Sequence, residues 1–343
     1  MVFPPVKRKE LLITGAVFLL LLLALPVREN HAGIAKINPE NFISSPVSLS
    51  DLLDTGDEPM GNFQSITIPL KRAGRLFLIE ATIDDQEGNL VFDTGSSGLV
   101  LNKTYFRKYT ASEKPAGGGV TGAIGKVSQI HIKKLQISNL YYEKVTADVT
   151  DLGHIENRRG VKILGLFGLN MITGFEVIFD ASNSQLQLDR IDRKGNRLNP
   201  ASSSIKYDFT QKIETFNNII LLRGKIGEKT LSFCLDTGAE TNVISSHVSK
   251  NVMGTIQISR RSSLSGAGTA TSEVLYGTMN DFRFGSYQLG AMETIVTDLD
   301  AMSEAYGRTI DGMLGYDFWE KGVFCINFGK NEMSICLGKG EKK

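Results

Sequence analysis

The chain has 343 residues, a formal net charge of +1, 41% hydrophobic and 22% charged residues, and three cysteines. That length allows two domains or one large one, and the composition is that of an ordinary globular protein. A charge so near balance offers no footprint for a polyanion, so nucleic acid is not expected as a partner.

At the N-terminus, Lys7-Arg8-Lys9 precede an uncharged run, residues 11–27, with a core of Leu19 to Leu23. Its length falls between a signal-peptide core and a full membrane span. Ala24-Leu25-Pro26 and Asn30-His31-Ala32 are poor small-x-small cleavage sites, and no Cys lies nearby for lipid attachment. Residues 1–27 are therefore expected to form one N-terminal transmembrane or signal helix. An uncleaved anchor is the first reading, and secretion after signal cleavage is the alternative. The basic cluster should stay in the cytoplasm, which places the body on the extracytoplasmic side, the periplasm in a bacterium. Residues 28–62, interrupted by Pro39, Pro46 and Pro59, read as a tether.

From Phe63 onward short β-rich runs alternate with Gly, Asn and Asp, as in Ser65 to Leu70, Leu76 to Ile83 and Leu90 to Phe92. No 3.6-residue periodicity is sustained, so the body should be all-β with short helices at most. One unit is then written twice. Leu78 to Asp93 and Leu221 to Asp236 align without a gap, and each leads through an apolar run into Asp-Thr-Gly. Gly88 and Gly227-Glu228-Lys229 are expected to turn each run into a hairpin. Downstream, Gly165-Leu166-Phe167-Gly168 answers Gly312-Met313-Leu314-Gly315, 75 residues after Asp93 to Gly168 and 79 after Asp236 to Gly315. Matching hairpins follow, Phe175 to Leu188 and Val323 to Leu337. A third triplet, Asp54-Thr55-Gly56, lacks both the following strand and the Gly turn and reads as tether.

Two Asp-Thr-Gly turns, each answered by an apolar-apolar-Gly turn, resemble the two lobes of a pepsin/retropepsin-like aspartic protease. The resemblance covers roughly residues 63–338. It implies two homologous β-barrel-like lobes related by a pseudo-twofold axis, with the active cleft between them. The expected boundaries are an N-terminal lobe over 63–190, a linker over 191–204, a C-terminal lobe over 205–338 and a tail over 339–343. By the same resemblance Asp93 and Asp236 form a catalytic dyad that needs no cofactor. Two like charges held close cannot both ionise cheaply, so one carboxyl stays protonated as acid while the other serves as base. Thr94 and Thr237 would each reach across to the opposite lobe, and Gly95 and Gly238 would allow the tight turn. Ser96 and Ala239 follow as the small residues of the two turns, while Gly168 and Gly315 would admit a strand packed behind each one. Ser96-Ser97 is pepsin-like and Ala239 retropepsin-like, and neither the flap Tyr nor the Trp usual after the first turn of pepsins is present.

Two Gly-rich stretches, 116–122 with Gly118 and Gly119 and 265–269 with Gly266 and Gly268, are expected as mobile hairpin tips over the cleft. Gly117-x-Gly119-x-x-Gly122 matches a dinucleotide fingerprint only formally, because Val127, Ile130 and Ile132 continue as strand where a helix is required. The four histidines, His31, His131, His154 and His247, show no metal-ligand spacing, so no metal is expected. A two-residue turn at Lys330-Asn331 would set Cys325 opposite Cys336, close enough for a disulfide. Val177 and Leu188 in the first copy show that plain apolar residues suffice there, so both states stay open. Cys234 should be buried and unpaired. The function expected is endopeptidase action on an extended polypeptide by a monomer. The alternative is a non-catalytic peptide- or ligand-binding module on the same bilobal scaffold.

Overall fold

The computed structural model describes residues 58–114, 118–119, 122–123, 127–265 and 271–338, together with the short strand Leu23–Ala24. The rest of the run 11–27, the tether up to residue 57 and the Asp54-Thr55-Gly56 triplet lie outside the described residues. Leu23 and Ala24 pair antiparallel with Ser265 and Leu264. Among the described residues no helix is long and apolar enough to cross a membrane.

The body is mostly β and has two lobes built alike. In the first, Leu76–Ile83 pairs antiparallel with Gln86–Phe92, Leu78 facing Val91. Ile163–Phe167 then runs parallel to Gln86–Phe92 on one side and antiparallel to Leu99–Asn102 on the other. The second lobe repeats this with Ile219–Ile226, Lys229–Leu235, Gly312–Leu314 and Asn242–Ser245. A strand with a partner on each edge and apolar layers on both faces cannot alternate. This is why Leu90-Val91-Phe92 and Phe233-Cys234-Leu235 are continuous apolar runs, all buried.

The two hairpin turns are made differently. Gly227, at φ 56°, supplies the left-handed residue in the second lobe, whereas Asp84, at φ 49°, does so in the first. The Asp84 carboxylate accepts from the Lys133 and Lys134 amides, both at 2.9 Å, and so holds a conformation otherwise disfavoured outside glycine. Gly88 therefore lies inside a strand instead of at the turn, where a Cβ would come within 2.8 Å of Leu164.

A six-stranded sheet joins the lobes. Its order is Phe209–Lys212, Glu332–Leu337, Gly322–Asn327, Phe175–Asp180, Gln185–Arg190, Ser65–Pro69. Its two central strands, one from each copy, are antiparallel, and Ile178 faces Cys325. Those residues are equivalents in the two copies, so the pseudo-twofold axis passes between them.

The cysteine register differs from the one expected. Cys325 faces Ser334 and Cys336 faces Val323, because the hairpin closes through four residues, 328–331, with Asn331 at φ 51°. The first copy turns in the same way, with Ser184 at φ 51°. The shift leaves Cys325 and Cys336 diagonal to one another, about 7–8 Å apart by sheet geometry and beyond the reach of a disulfide. All three cysteines are free thiols, and Cys234 is buried.

Candidate active site

Each Asp of interest stands at the end of a strand that has a parallel neighbour. The Asp93 amide donates to Phe167 O at 3.1 Å, and the Asp236 amide to Leu314 O at 3.0 Å. The chain then turns back on its own carboxylate. Gly95 N donates to Asp93 Oδ1 at 2.9 Å, and Gly238 N to Asp236 Oδ1 at 2.8 Å, with Ala239 N adding a bond to that oxygen at 3.0 Å. Gly168 and Gly315 lie directly against these turns. A Cβ on Gly168 would come within 2.3 Å of Gly98 O, and one on Gly315 within 2.6 Å of Ala239 O.

Four buried hydrogen bonds cross between the turns. Thr94 N donates to Thr237 Oγ1 and Thr237 N to Thr94 Oγ1, both at 3.0 Å. The hydroxyls pass the interaction on, Thr94 Oγ1 to Leu235 O at 3.1 Å and Thr237 Oγ1 to Phe92 O at 2.8 Å. Each acceptor carbonyl belongs to the residue immediately before the opposite Asp, so the two carboxyls are fixed relative to one another by backbone as well as side chain.

The geometry brings Asp93 and Asp236 face to face. A Cβ on Gly95 would come within 2.5 Å of the Asp236 carboxyl, and one on Gly238 within 2.6 Å of Asp93 Oδ1. The two carboxyls are thus close to one another while only 2% and 1% exposed. Burial is the largest influence on both and favours the neutral form. It pushes Asp93 up to about 6, against the lowering effect of Asp236 and the turn amides. Asp236 lies well above the ordinary carboxylate range, raised by burial and then by the Asp93 charge. Like charges this close cannot both ionise cheaply, so the upward shifts belong to the pair and not to either residue.

Gly118–Gly119 pairs with Gly122–Ala123, and Gly118–Gly119 contacts the helix Asp300–Tyr306 of the second lobe. Gly266 and Gly268 lie outside the described residues.

Several neighbours carry no motif. Arg159, on the helix Gly153–Arg159, forms a largely buried ion pair with Glu240, four residues past Asp236 in the other lobe. Arg75 reaches across as well, to Glu240 O at 3.2 Å and Glu293 at 2.7 Å. Tyr306, buried at the end of Asp300–Tyr306, feels the charges of both Asp residues, and its phenol is shifted upward chiefly by burial. The repeat carries a faint signal for these two, because Arg159 and Tyr306 each stand one residue before a left-handed glycine, Gly160 and Gly307. Trp319 donates its indole N–H to Asp236 O at 3.3 Å.

Of the histidines, His131 shares a hydrogen bond with Thr146, and burial lowers the pKa of His154. His247 stands beside Asp298 and Asp300, a grouping that the sequence spacing did not reveal. All three side chains are more than half exposed, and the Asp300 carboxylate raises the imidazole pKa.

A family model described as "Aspartyl protease" matches residues 79–171 and 222–318, one segment in each lobe, each spanning an Asp-Thr-Gly turn and its answering Gly turn. No curated protein matches the chain.

Proposed function

The chain belongs to the aspartyl protease family, and on that premise we propose that it is an endopeptidase with Asp93 and Asp236 as its catalytic dyad. The observation that carries the proposal is a pair of buried carboxyls from one chain, each set against the other's turn by matched threonine bonds. A water between them loses a proton to the ionised carboxylate as it attacks the scissile carbonyl, and the protonated partner donates to the carbonyl oxygen. The tetrahedral diol then collapses, returning a proton to the leaving amine and leaving the dyad singly protonated again. Because both carboxyls come from one chain, a monomer suffices. An extended polypeptide fits such a cleft, with main-chain hydrogen bonds giving affinity and alternate side chains giving selectivity.

The singly ionised dyad is the active form, so the rate should rise as pH increases through about 6, the value to which Asp93 is raised. A peptide-library digest with the full chain across pH 4–8 tests this. Cleavage that strengthens through that range and stops with a statine-type inhibitor is expected. A chain inert to every peptide and blind to the inhibitor would favour a binding module on the same scaffold.

Residues 11–27, behind Lys7-Arg8-Lys9, are proposed to anchor this body on the extracytoplasmic side of a membrane. External protease added to sealed cells or spheroplasts should degrade the body. A body protected there, or recovered in the cytosol, would contradict the anchor.

A further inference from the structure

The two active turns differ at one position, and the difference is made good from elsewhere in the fold. Behind the first turn the Asp93 carbonyl accepts two bonds from Ser96, from its amide at 3.3 Å and its hydroxyl at 3.1 Å. Behind the second, the Ala239 amide donates to Asp236 O at 3.4 Å, but alanine has no hydroxyl for the second bond. The Trp319 indole N–H supplies it, at 3.3 Å. Both carbonyls lie in buried surroundings, where an unfilled hydrogen-bonding position is costly.

The counterpart of Trp319 is Ile172, each standing four residues after its Gly, Gly168 or Gly315. Ile172 has no side-chain donor and needs none, since Ser96 already serves that lobe. After Gly315 the chain continues as the helix Tyr316–Trp319, which carries the indole beneath the turn. The ring is fully buried and packs edge-on against Phe179 at 5.4 Å and Phe324 at 5.0 Å, both in the sheet that joins the lobes. Phe179 in turn lies 5.5 Å from Phe92, the residue before Asp93. A rigid aromatic path therefore links the backbone of one active turn to that of the other.

We propose that Trp319 is a positioning residue for Asp236, its indole N–H taking the place that the Ser96 hydroxyl holds behind Asp93. The assignment rests on the dyad reading above. By fixing the peptide plane that follows Asp236, the indole sets the direction of that carboxyl towards Asp93. It touches neither substrate nor the reacting atoms.

The test uses the full-length chain and the best-cleaved library peptide. Trp319→Phe keeps an aromatic ring and removes the donor, so kcat should fall about tenfold with KM unchanged, the size expected for one lost buried hydrogen bond. Adding Ala239→Ser to that variant places a hydroxyl where Ser96 has one, and should restore kcat to within about threefold of wild type. Phe324→Leu disturbs the same aromatic packing without touching the donor, and should lower the melting temperature while leaving kcat in place. Trp319 is the only tryptophan in the chain, so its emission in the wild type should also change on binding a statine-type inhibitor. Wild-type kcat in Trp319→Phe overturns the proposal, as does an unresponsive emission with inhibitor bound. So does a loss that Ala239→Ser leaves unrepaired and Phe324→Leu reproduces, since packing would then account for it. A wild-type chain without peptidase activity overturns the dyad reading and this assignment together, whereas an active wild type matched by Trp319→Phe overturns this assignment alone.

Discussion

Asp93→Asn and Asp236→Asn should each lower peptide hydrolysis by about four orders of magnitude, because the remaining carboxyl cannot be acid and base at once. The double substitution should be no worse than either single one, since groups that act as a unit do not lose rate additively. Folding should survive and even gain. Asp93 ionises at about 6 in the folded chain against an ordinary 3.8, so the fold favours its protonated form. That contribution is complete below about 3.8 and is lost as pH rises through about 6. Asn cannot ionise, so Asp93→Asn should be at least as stable as wild type at pH 7 and should lose the decline through that window. Asp54→Asn should leave hydrolysis unchanged, because that triplet lacks the repeated strand and Gly turn. A folded Asp93→Asn or Asp236→Asn protein cleaving at the wild-type rate would refute the assignment.

Thr237→Val should produce the largest loss of stability among single changes at the lobe contact. Its hydroxyl accepts from Thr94 N at 3.0 Å and donates to Phe92 O at 2.8 Å, and all three residues are at most 1% exposed. Valine fills nearly the same space and leaves one N–H and one carbonyl buried without partners. At about 1–3 kcal/mol for each stranded group the cost should be about 3 kcal/mol. For a chain of this size that is a drop of about 4–5 °C in melting temperature. Thr94→Val breaks the mirror-image bonds to Thr237 N and Leu235 O and should cost about as much. Thr→Ser at either position keeps the hydroxyl and should recover most of the loss. Calorimetry decides the matter, and a Val variant melting with the wild type would show that these bonds contribute little.

What the sequence made legible was whatever the chain repeats. Asp93 and Asp236, Thr94 and Thr237, and Gly168 and Gly315 occur at matched positions, so aligning the copies was enough to find them. The cysteine register is legible only when the copies are counted from Gly168 and Gly315, which makes Ile178 and Gln187, not Val177 and Leu188, the counterparts of a facing pair Cys325 and Ser334. A two-residue turn at Lys330-Asn331 breaks that correspondence. Gly88 misled because glycine is the usual left-handed residue, whereas Asp84 reaches that conformation with two lysine amides on its carboxylate. The contacts of Trp319 with Asp236 and of Arg159 with Glu240 could not be read, although Arg159 itself stands at a position the repeat marks faintly. The partners lie 81 or more residues apart, and each contact appears in one copy only, so neither local spacing nor repetition marks it.

The claim on which the rest depends is that Asp93 and Asp236 hold one proton between them, and carbon-13 resonances of labelled aspartate side chains measure this directly. Assignment follows from the signals missing in Asp93→Asn and Asp236→Asn. Across pH 3–9 the two carboxyls should titrate as a coupled pair, with one apparent pKa near 6 and the second proton retained well beyond it. Two carboxyls that ionise independently near the ordinary value of 3.8 would contradict the account.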